Sequence, residues 1–345
     1  MKKILIFGAG SIGNHMTHAC LKLGLKVYIT DISEESLKRM KSVVYPKRYG
    51  SWNEKISIIN YKDIYTNKTN FDLLIIGTPP ITHFDIFFNS IKYLKFKKIL
   101  IEKPLAHFLE KRIRLFKNNQ KKIFTFCGYN HSLSPSFTSY SNLIKNIPIK
   151  NILLIDVEWK EGWKGILGAH FWLKNEFQSY LGNIKKGGGA LHEHSHGLHL
   201  LICILSLYKI KLKEKKTIMQ FKKKNKLRYD LHTCLTWFED KFLIKYETNL
   251  ISEPSKKKIT IDTVKYKYFW INNYKKNIDA VIKKNISDGK EKKFFFQKTR
   301  SSEFENEIKH ILKINDKKSY LSSNININKA LLVHEIISKT VNNEK

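Results

Sequence analysis

The sequence predicts an α/β protein in two parts, a doubly wound parallel sheet followed by an α/β domain built on a largely antiparallel open sheet. Three observations predict it. Up to about residue 127, short apolar runs alternate with amphipathic stretches, the pattern of a parallel sheet wrapped by helices. After Gly128, strand-like runs follow one another almost without helices between them, which an antiparallel sheet permits and a parallel one does not. At the first change from apolar run to amphipathic stretch stands Gly8-Ala9-Gly10-Ser11-Ile12-Gly13, with glycines where a strand turns tightly into a helix.

Taken in order, the first part offers strands over residues 3–7, 26–30, 56–59, 73–76, 99–102 and 123–126. Helices are expected over 11–23, 34–41, 83–94 and 110–118, with Ser33 placed to cap the second. The second part offers strands over 152–159, 218–221, 229–238, 242–248, 258–262 and 266–271, one apolar helix over 190–207 and a closing helix over 329–340. The change of texture sets a boundary after residue 127, giving a ligand-binding domain over 1–127 and a second domain over 128–345.

Composition narrows the class of function. The 345 residues carry 63 Lys+Arg against 30 Asp+Glu, a formal net charge of +33, which first suggests a polyanion partner. Yet the arginines are only Arg39, Arg48, Arg112, Arg114, Arg228 and Arg300, and the guanidinium is the group that reads phosphates and bases in bidentate fashion. The lysines accompany abundant isoleucine and asparagine, as in Asn324-Ile325-Asn326-Ile327-Asn328, a pattern that AT-rich codons explain without nucleic acid. Cys20, Cys127, Cys203 and Cys234 form no CxxC pair, so neither a zinc ribbon nor a disulfide framework is indicated and a reducing cytoplasm fits. Met1 to Phe7 begins like a secretion signal, but Gly8 cuts the apolar run short and it reads as a buried first strand. No apolar run approaches the ~18 residues that span a bilayer, so a soluble protein is expected.

The motifs concentrate the chemistry. Glycines at 8, 10 and 13 permit the tight turn, the close approach of backbone to a pyrophosphate, with Ser11 and Ile12 alongside it, and close helix packing. Asp31 ends the second strand, where a carboxylate hydrogen-bonds the adenosine ribose and repels a 2′-phosphate; this favours NAD, with NADP left open by Lys38 and Arg39. Thr78, Pro79, Pro80 and His83 follow the fourth strand, at the carboxyl edge where open parallel sheets bind ligands, and are expected to line the cofactor. Glu102-Lys103-Pro104 ends the fifth strand at the same edge, and Lys103 there could stabilise alkoxide character on a substrate oxygen. On the helix after Gly187-Gly188-Gly189, His192, His196 and His199 fall on one stripe, opposite the apolar stripe of Leu191, Leu198, Ile202 and Leu205. The same segment spells His192-Glu193-x-x-His196, the helical zinc pair with a glutamate base, so a zinc hydrolase is a rival reading, with His199, Glu214 or Glu239 as a third ligand. Residues 163–182, Trp172 among them, mix aromatic and polar groups and could either stack on a sugar ring or pack as a surface loop.

In their order, Gly8-x-Gly10-x-x-Gly13, Gly77-Thr78-Pro79-Pro80 with His83, Glu102-Lys103-Pro104, Gly128-Tyr129-Asn130 and Gly187-Gly188-Gly189 with His196 resemble the glucose-fructose oxidoreductase, inositol dehydrogenase and MocA family. Residues 330–337 also resemble its closing helix. The resemblance implies a Rossmann domain, a second domain whose open sheet packs on another subunit in a dimer or tetramer, and NAD(P)-dependent redox chemistry on a sugar, cyclitol or nucleotide sugar. It implies that Lys103 and His196 are catalytic and that their acidic partner is Glu193 or, by another spacing, His192; the residues expected on the substrate are Lys103, Tyr129, Trp172, His192, His196 and His199. His199 departs from the aspartate of many members, which puts that substrate contact in doubt and keeps a non-catalytic dinucleotide-binding sensor as an alternative.

Overall fold

The protein is described here by a computed structural model covering residues 1–213, 215–239 and 241–342. Its first stretch forms strands β1 (Lys3–Phe7), β2 (Lys26–Thr30), β3 (Ile56–Ile58), β4 (Asn70–Phe71), β5 (Leu73–Ile76), β6 (Lys95–Phe96), β7 (Lys98–Ile101) and β8 (Phe124–Cys127). Helices α1 (Ser11–Lys22), α2 (Glu34–Arg39), α3 (Tyr45–Tyr49), α4 (His83–Tyr93) and α5 (Ile113–Asn119) alternate with them. Then come α6 (Pro135–Ile144), β9 (Ile152–Lys160), α7 (Trp163–Ala169), α8 (Ala190–Glu193) and α9 (Ser195–Leu207). A run of strands follows: β10 (Lys215–Lys224), β11 (Leu227–Glu239), β12 (Phe242–Asn249), β13 (Lys256–Thr263), β14 (Tyr266–Lys275), β15 (Ile278–Asn285) and β16 (Glu291–Gln297). The chain ends in α10 (Arg300–Lys313), α11 (Lys317–Ser322) and α12 (Ile327–Asn342).

The chain divides into two compact units, one of Met1–Asn130 with Arg300–Ala330, the other of His131–Thr299 with the residues from Leu331 onward. In the first, six parallel strands lie in the order β3-β2-β1-β5-β7-β8, so the chain reverses its direction of winding between β1 and β5. Strands covered on both faces must be apolar at every position, and Ile4, Leu5 and Ile6, Leu73 to Ile76 and Ile99 to Ile101 are all fully enclosed. The six strands expected there form within a residue at either end, and the Ser33 hydroxyl accepts from the Ser36 amide at 3.1 Å to cap α2.

Residues 300–330 return to this unit rather than following the division at 127. The reason is α10, whose apolar stripe of Phe304, Ile308 and Ile311 needs a surface to cover. Phe304 stacks on His15 of α1, and Lys98 in β7 extends its ammonium to the carbonyls of Ile311 and Leu312 at 2.9 and 3.1 Å and to Asn315 Oδ1 at 3.1 Å. A buried lysine thus satisfies the orphan carbonyls at the C-terminal end of α10. Further on, Tyr320 donates to the Thr125 carbonyl at 2.8 Å and Cys127 N–H donates to Ile325 at 3.0 Å, fastening the return to the edge strand β8.

The second unit carries eight strands in the order β10-β11-β12-β9-β13-β14-β15-β16, antiparallel except for the β12–β9 pair. Trp159, Trp237, Trp270 and Tyr246 fill its core with almost no exposure. The sequence reading omitted β4, β6, β15, β16, α3, α6, α7, α10 and α11. It also drew one helix over 190–207 where the structure has two, α8 and α9, meeting at a non-helical His194.

Replacing Lys98 with Met would keep the apolar stem but leave the last carbonyls of α10 buried without a donor. We expect a loss of about 1–3 kcal/mol in unfolding free energy, read from urea denaturation.

Candidate active site

The nucleotide half of the candidate site lies in the first unit. The Gly8 amide donates to Thr30 at 2.8 Å, and Gly8 itself takes a φ of +104°, turning the chain out of β1. A side chain at Gly13 would collide with the Gly8 carbonyl, so glycine is what lets α1 begin so close to the strand. At Gly10 the direction a side chain would take meets no atom within 4 Å. That open space, in front of the amino end of α1, suits a pyrophosphate. Asp31 holds the turn from the other side: its Oδ2 accepts from the Ala9 amide at 2.7 Å and its Oδ1 from Ser33 at 2.8 Å, and the carboxylate remains partly accessible. Arg48, which no motif flagged, donates to the Ser11 hydroxyl and carbonyl at 3.1 and 3.2 Å and brings a cation to the same loop.

Two further loops share the carboxyl edge of this sheet. His83 was expected against the cofactor, but it is wholly enclosed. Its ring nitrogens reach the carbonyls of Thr78 at 2.8 Å and Leu105 at 3.1 Å, so it braces the loop of Thr78 and Pro79 against the loop after Lys103. Burial lowers its pKa, while the two carbonyls, which only a ring protonated on both nitrogens can serve together, oppose that shift. Pro80 is also buried, whereas Thr78 and Pro79 keep accessible surface. Lys103 is half-buried, while Glu102 turns inward beneath it and burial pushes its carboxyl up to about 7. Tyr129, expected on the substrate, is enclosed at 1% exposure.

The second unit holds the histidine segment, and it departs from the expected single stripe. His192 and His199 are enclosed, His199 with its ring 3.9 Å from Cys203 Sγ; only His196 of the three keeps accessible surface, and Glu193 keeps some too. The break at His194 is fixed by its own bonds: Tyr246 donates to its carbonyl at 2.7 Å, and its ring reaches the Glu161 carbonyl at 3.3 Å. A β-carbon at Gly197 would lie 2.7 Å from Trp159 and 2.8 Å from Tyr246, so glycine lets α9 press onto the sheet. His196 then sits among aromatic rings, 4.7 Å from His131 and 5.8 Å from Trp159 between centroids. His131 directly follows Gly128-Tyr129-Asn130, a signal in plain view that the sequence reading left unused.

The zinc reading fails on this geometry. His192 and His196 stand on separate helices, and among the described residues no group of three or more His, Cys, Asp or Glu side chains is placed to hold a metal ion. Glu214 lies outside the described residues, and Glu239 faces Lys213 at 3.8 Å. In the loop before the glycines, Trp163, Phe177 and Tyr180 pack on a core of Ile166, Leu181, Ala190, Tyr229 and Leu250, leaving half-exposed Trp172 against His170 and Phe171.

Asp230 was missed altogether. It is fully buried, accepts from the Leu191 amide at 2.8 Å and the Thr233 hydroxyl at 3.0 Å, and fills the space where Gly189, at φ +99°, lacks a side chain. The triple glycine therefore wraps a buried carboxyl that anchors the start of α8, and burial pushes that carboxyl up to about 7. A bulge hid it. The pairing of β10 with β11 skips Leu231, so Asp230 points inward out of turn and the alternation does not mark it.

Residues 2–126 match the family model described as the oxidoreductase family with an NAD-binding Rossmann fold, Gfo/Idh/MocA. The first domain belongs to the Gfo/Idh/MocA oxidoreductase family. No curated protein matches the chain in sequence. Among solved structures, an inositol dehydrogenase homolog from Azotobacter vinelandii complexed with NAD+ aligns with a TM-score of 0.77 at 12% identity, over 99% of this chain and 94% of that one. A levoglucosan dehydrogenase in complex with NADH aligns at 0.74 and 13% identity, over 99% and 96%. A super-repressor mutant of Gal80p from Saccharomyces cerevisiae aligns at 0.72 and 13%, over 99% and 95%. These likenesses extend the Gfo/Idh/MocA fold over the whole chain.

The raised Asp230 carboxyl has a consequence for stability. Between the ordinary carboxylate range and about pH 7 the folded state keeps a proton that the unfolded chain has lost, so stability falls as pH rises through that window. We expect Asp230→Asn to remove on the order of 3 kcal/mol of that fall, seen as a gain over the parent protein that grows from pH 5 to pH 7 in urea unfolding.

Proposed function

We propose that the protein is an NAD-dependent dehydrogenase or reductase that moves hydride between the nicotinamide and a hydroxyl or keto group of a sugar, cyclitol or nucleotide sugar. One observation carries the reading. Of the ionisable side chains that the motifs single out for chemistry, Lys103, His196 and Glu193 keep accessible surface, while His83, His192 and His199 are enclosed. The solved relatives complexed with NAD+ or NADH and carrying inositol or levoglucosan dehydrogenase names support the same class.

The residues fit a dinucleotide. The open face of Gly10 and the amides at the start of α1 would hold the pyrophosphate, and the Asp31 carboxylate would take the adenosine ribose, disfavouring a 2′-phosphate. When bound, the cofactor supplies or accepts hydride. The chain supplies the rest: His196 accepts the proton of the substrate hydroxyl, Glu193 assists it in place of the enclosed His192, and the Lys103 ammonium stabilises the developing oxyanion. Thr78 and Pro79, with surface still accessible, would border the nicotinamide, and Trp172 offers a face for a sugar ring. Four free cysteines accord with a reducing compartment, which we take to be the cytoplasm.

The likeness to Gal80p favours a second reading, a dinucleotide-binding sensor without turnover. The test is a panel of sugars, cyclitols and nucleotide sugars with NAD and NADP, followed by nicotinamide absorbance. We expect reduction of NAD with at least one member, and turnover reduced by about a hundredfold or more in Lys103→Met with NAD binding nearly intact. Tight NAD binding with no turnover across the panel would favour the sensor, and unchanged turnover in Lys103→Met would remove that lysine from the mechanism.

A further inference from the structure

Beneath Lys103, the first unit buries a second acid that no motif announces. Glu307 lies on α10, inside the stripe of Phe304, Ile308 and Ile311, and has no solvent exposure; Glu102 has 5%. Among the described residues, both oxygens of Glu307 and Oε1 of Glu102 have no hydrogen-bond partner, and Glu102 Oε2 accepts from the Lys103 amide at 3.3 Å. The room for this arrangement is built in, because a β-carbon at Gly128 would lie 2.6 Å from the Glu102 carboxyl. Three buried acceptor oxygens without donors are costly on carboxylates and much less so on protonated carboxyls.

Lys103 and Arg300 face Glu102; Arg300 and Glu303 face Glu307; the Cys127 thiol at the end of β8 faces both carboxyls and Lys103. Burial raises each acid, and the charge of Glu102 raises Glu307 further, so that Glu307 stays protonated while Glu102 changes state near neutrality.

We propose that Glu102 and Glu307 form a buried pair in which Glu307 keeps its proton throughout, while Glu102 releases its proton to solvent when the oxidised, positively charged nicotinamide binds and keeps it beside the reduced, neutral ring. The inference rests on the cofactor reading above, which brings the nicotinamide to the edge where Glu102-Lys103 ends β7. A positive ring bound at that edge would stabilise the ionised form of Glu102, and a reduced, neutral ring would not. The pair thus reads the redox state of the cofactor as a charge and ties the preference for NAD+ over NADH to pH.

Linkage gives the size. If the oxidised ring makes proton loss about tenfold easier, NAD+ binds about fivefold more tightly at pH 8 than at pH 6, releasing about 0.4 proton at pH 7, while the affinity for NADH stays within about twofold. The experiment is isothermal titration of the full chain with NAD+ and with NADH at pH 6, 7 and 8, in two buffers of different ionisation enthalpy, alongside Glu102→Gln and Glu307→Gln. We expect proton release with NAD+ alone, its abolition in Glu102→Gln, and an unmoved pH midpoint in Glu307→Gln, where a neutral amide replaces a carboxyl that is already neutral. Equal release with both cofactor forms, release that persists in Glu102→Gln, or a midpoint that moves down in Glu307→Gln would overturn the assignment to this pair while leaving the cofactor reading intact. Failure of the parent protein to bind either dinucleotide would overturn both. Should Glu102→Gln not fold, as judged by thermal melting, the release midpoint in Arg300→Gln decides: it moves up if Glu102 is the source, since the cation facing it is lost, and an unmoved midpoint would overturn the assignment.

Discussion

The approach of Gly13 to the Gly8 carbonyl, closer than any side chain would allow, is the constraint on which the first unit depends. It lets α1 start hard against the end of β1, so the amino end of that helix and the open side of Gly10 face the same space. Asp31 completes the arrangement from β2 by accepting two backbone amides, one from the loop and one from the entrance to α2. A carboxylate that is already ordered by the loop costs little further ordering when it takes a ribose.

The rest of the carboxyl edge is braced from inside. His83 joins two loops through their carbonyls, and Glu102 and Glu307 lie under the residue that meets the substrate in the proposed chemistry. In the second unit Asp230 does the same for the histidine segment, tying the glycine turn to β11 while Tyr246 and Gly197 set how α9 lies on the sheet. Both halves use enclosed polar groups to place accessible ones. Each enclosed acid exacts a stability cost that grows with pH, which an arrangement serving packing alone would avoid.

What was legible in the sequence follows from how directly each feature is written in local pattern. The central strands β1, β5 and β7 are doubly covered and therefore almost continuously apolar, and β2, β3 and β8 keep shorter apolar runs, so all six could be read. The glycine loop, Asp31 and Lys103 stand at junctions between such runs and could be placed with them. Enclosure could not be read, because His192, His196 and His199 share a helical spacing on paper and are separated only by the break at His194, which Tyr246 imposes from 52 positions away. Glu307 carried a local signal, an acid inside an apolar stripe, but the amphipathic pattern of α10 itself went unread. Asp230 carried none, since the bulge at Leu231 moved it out of phase with its strand.

The most direct measurement is NADH binding to Gly10→Val, followed by energy transfer from tryptophan to the nicotinamide. The side chain at residue 10 meets nothing in the protein and its backbone is extended, so the variant should fold with an unchanged melting temperature while filling the space meant for the pyrophosphate. The expected result is saturable binding to the parent protein and an affinity lower by about tenfold or more in the folded variant. NADH binding of unchanged affinity in Gly10→Val would place the dinucleotide elsewhere and contradict the role given to the loop.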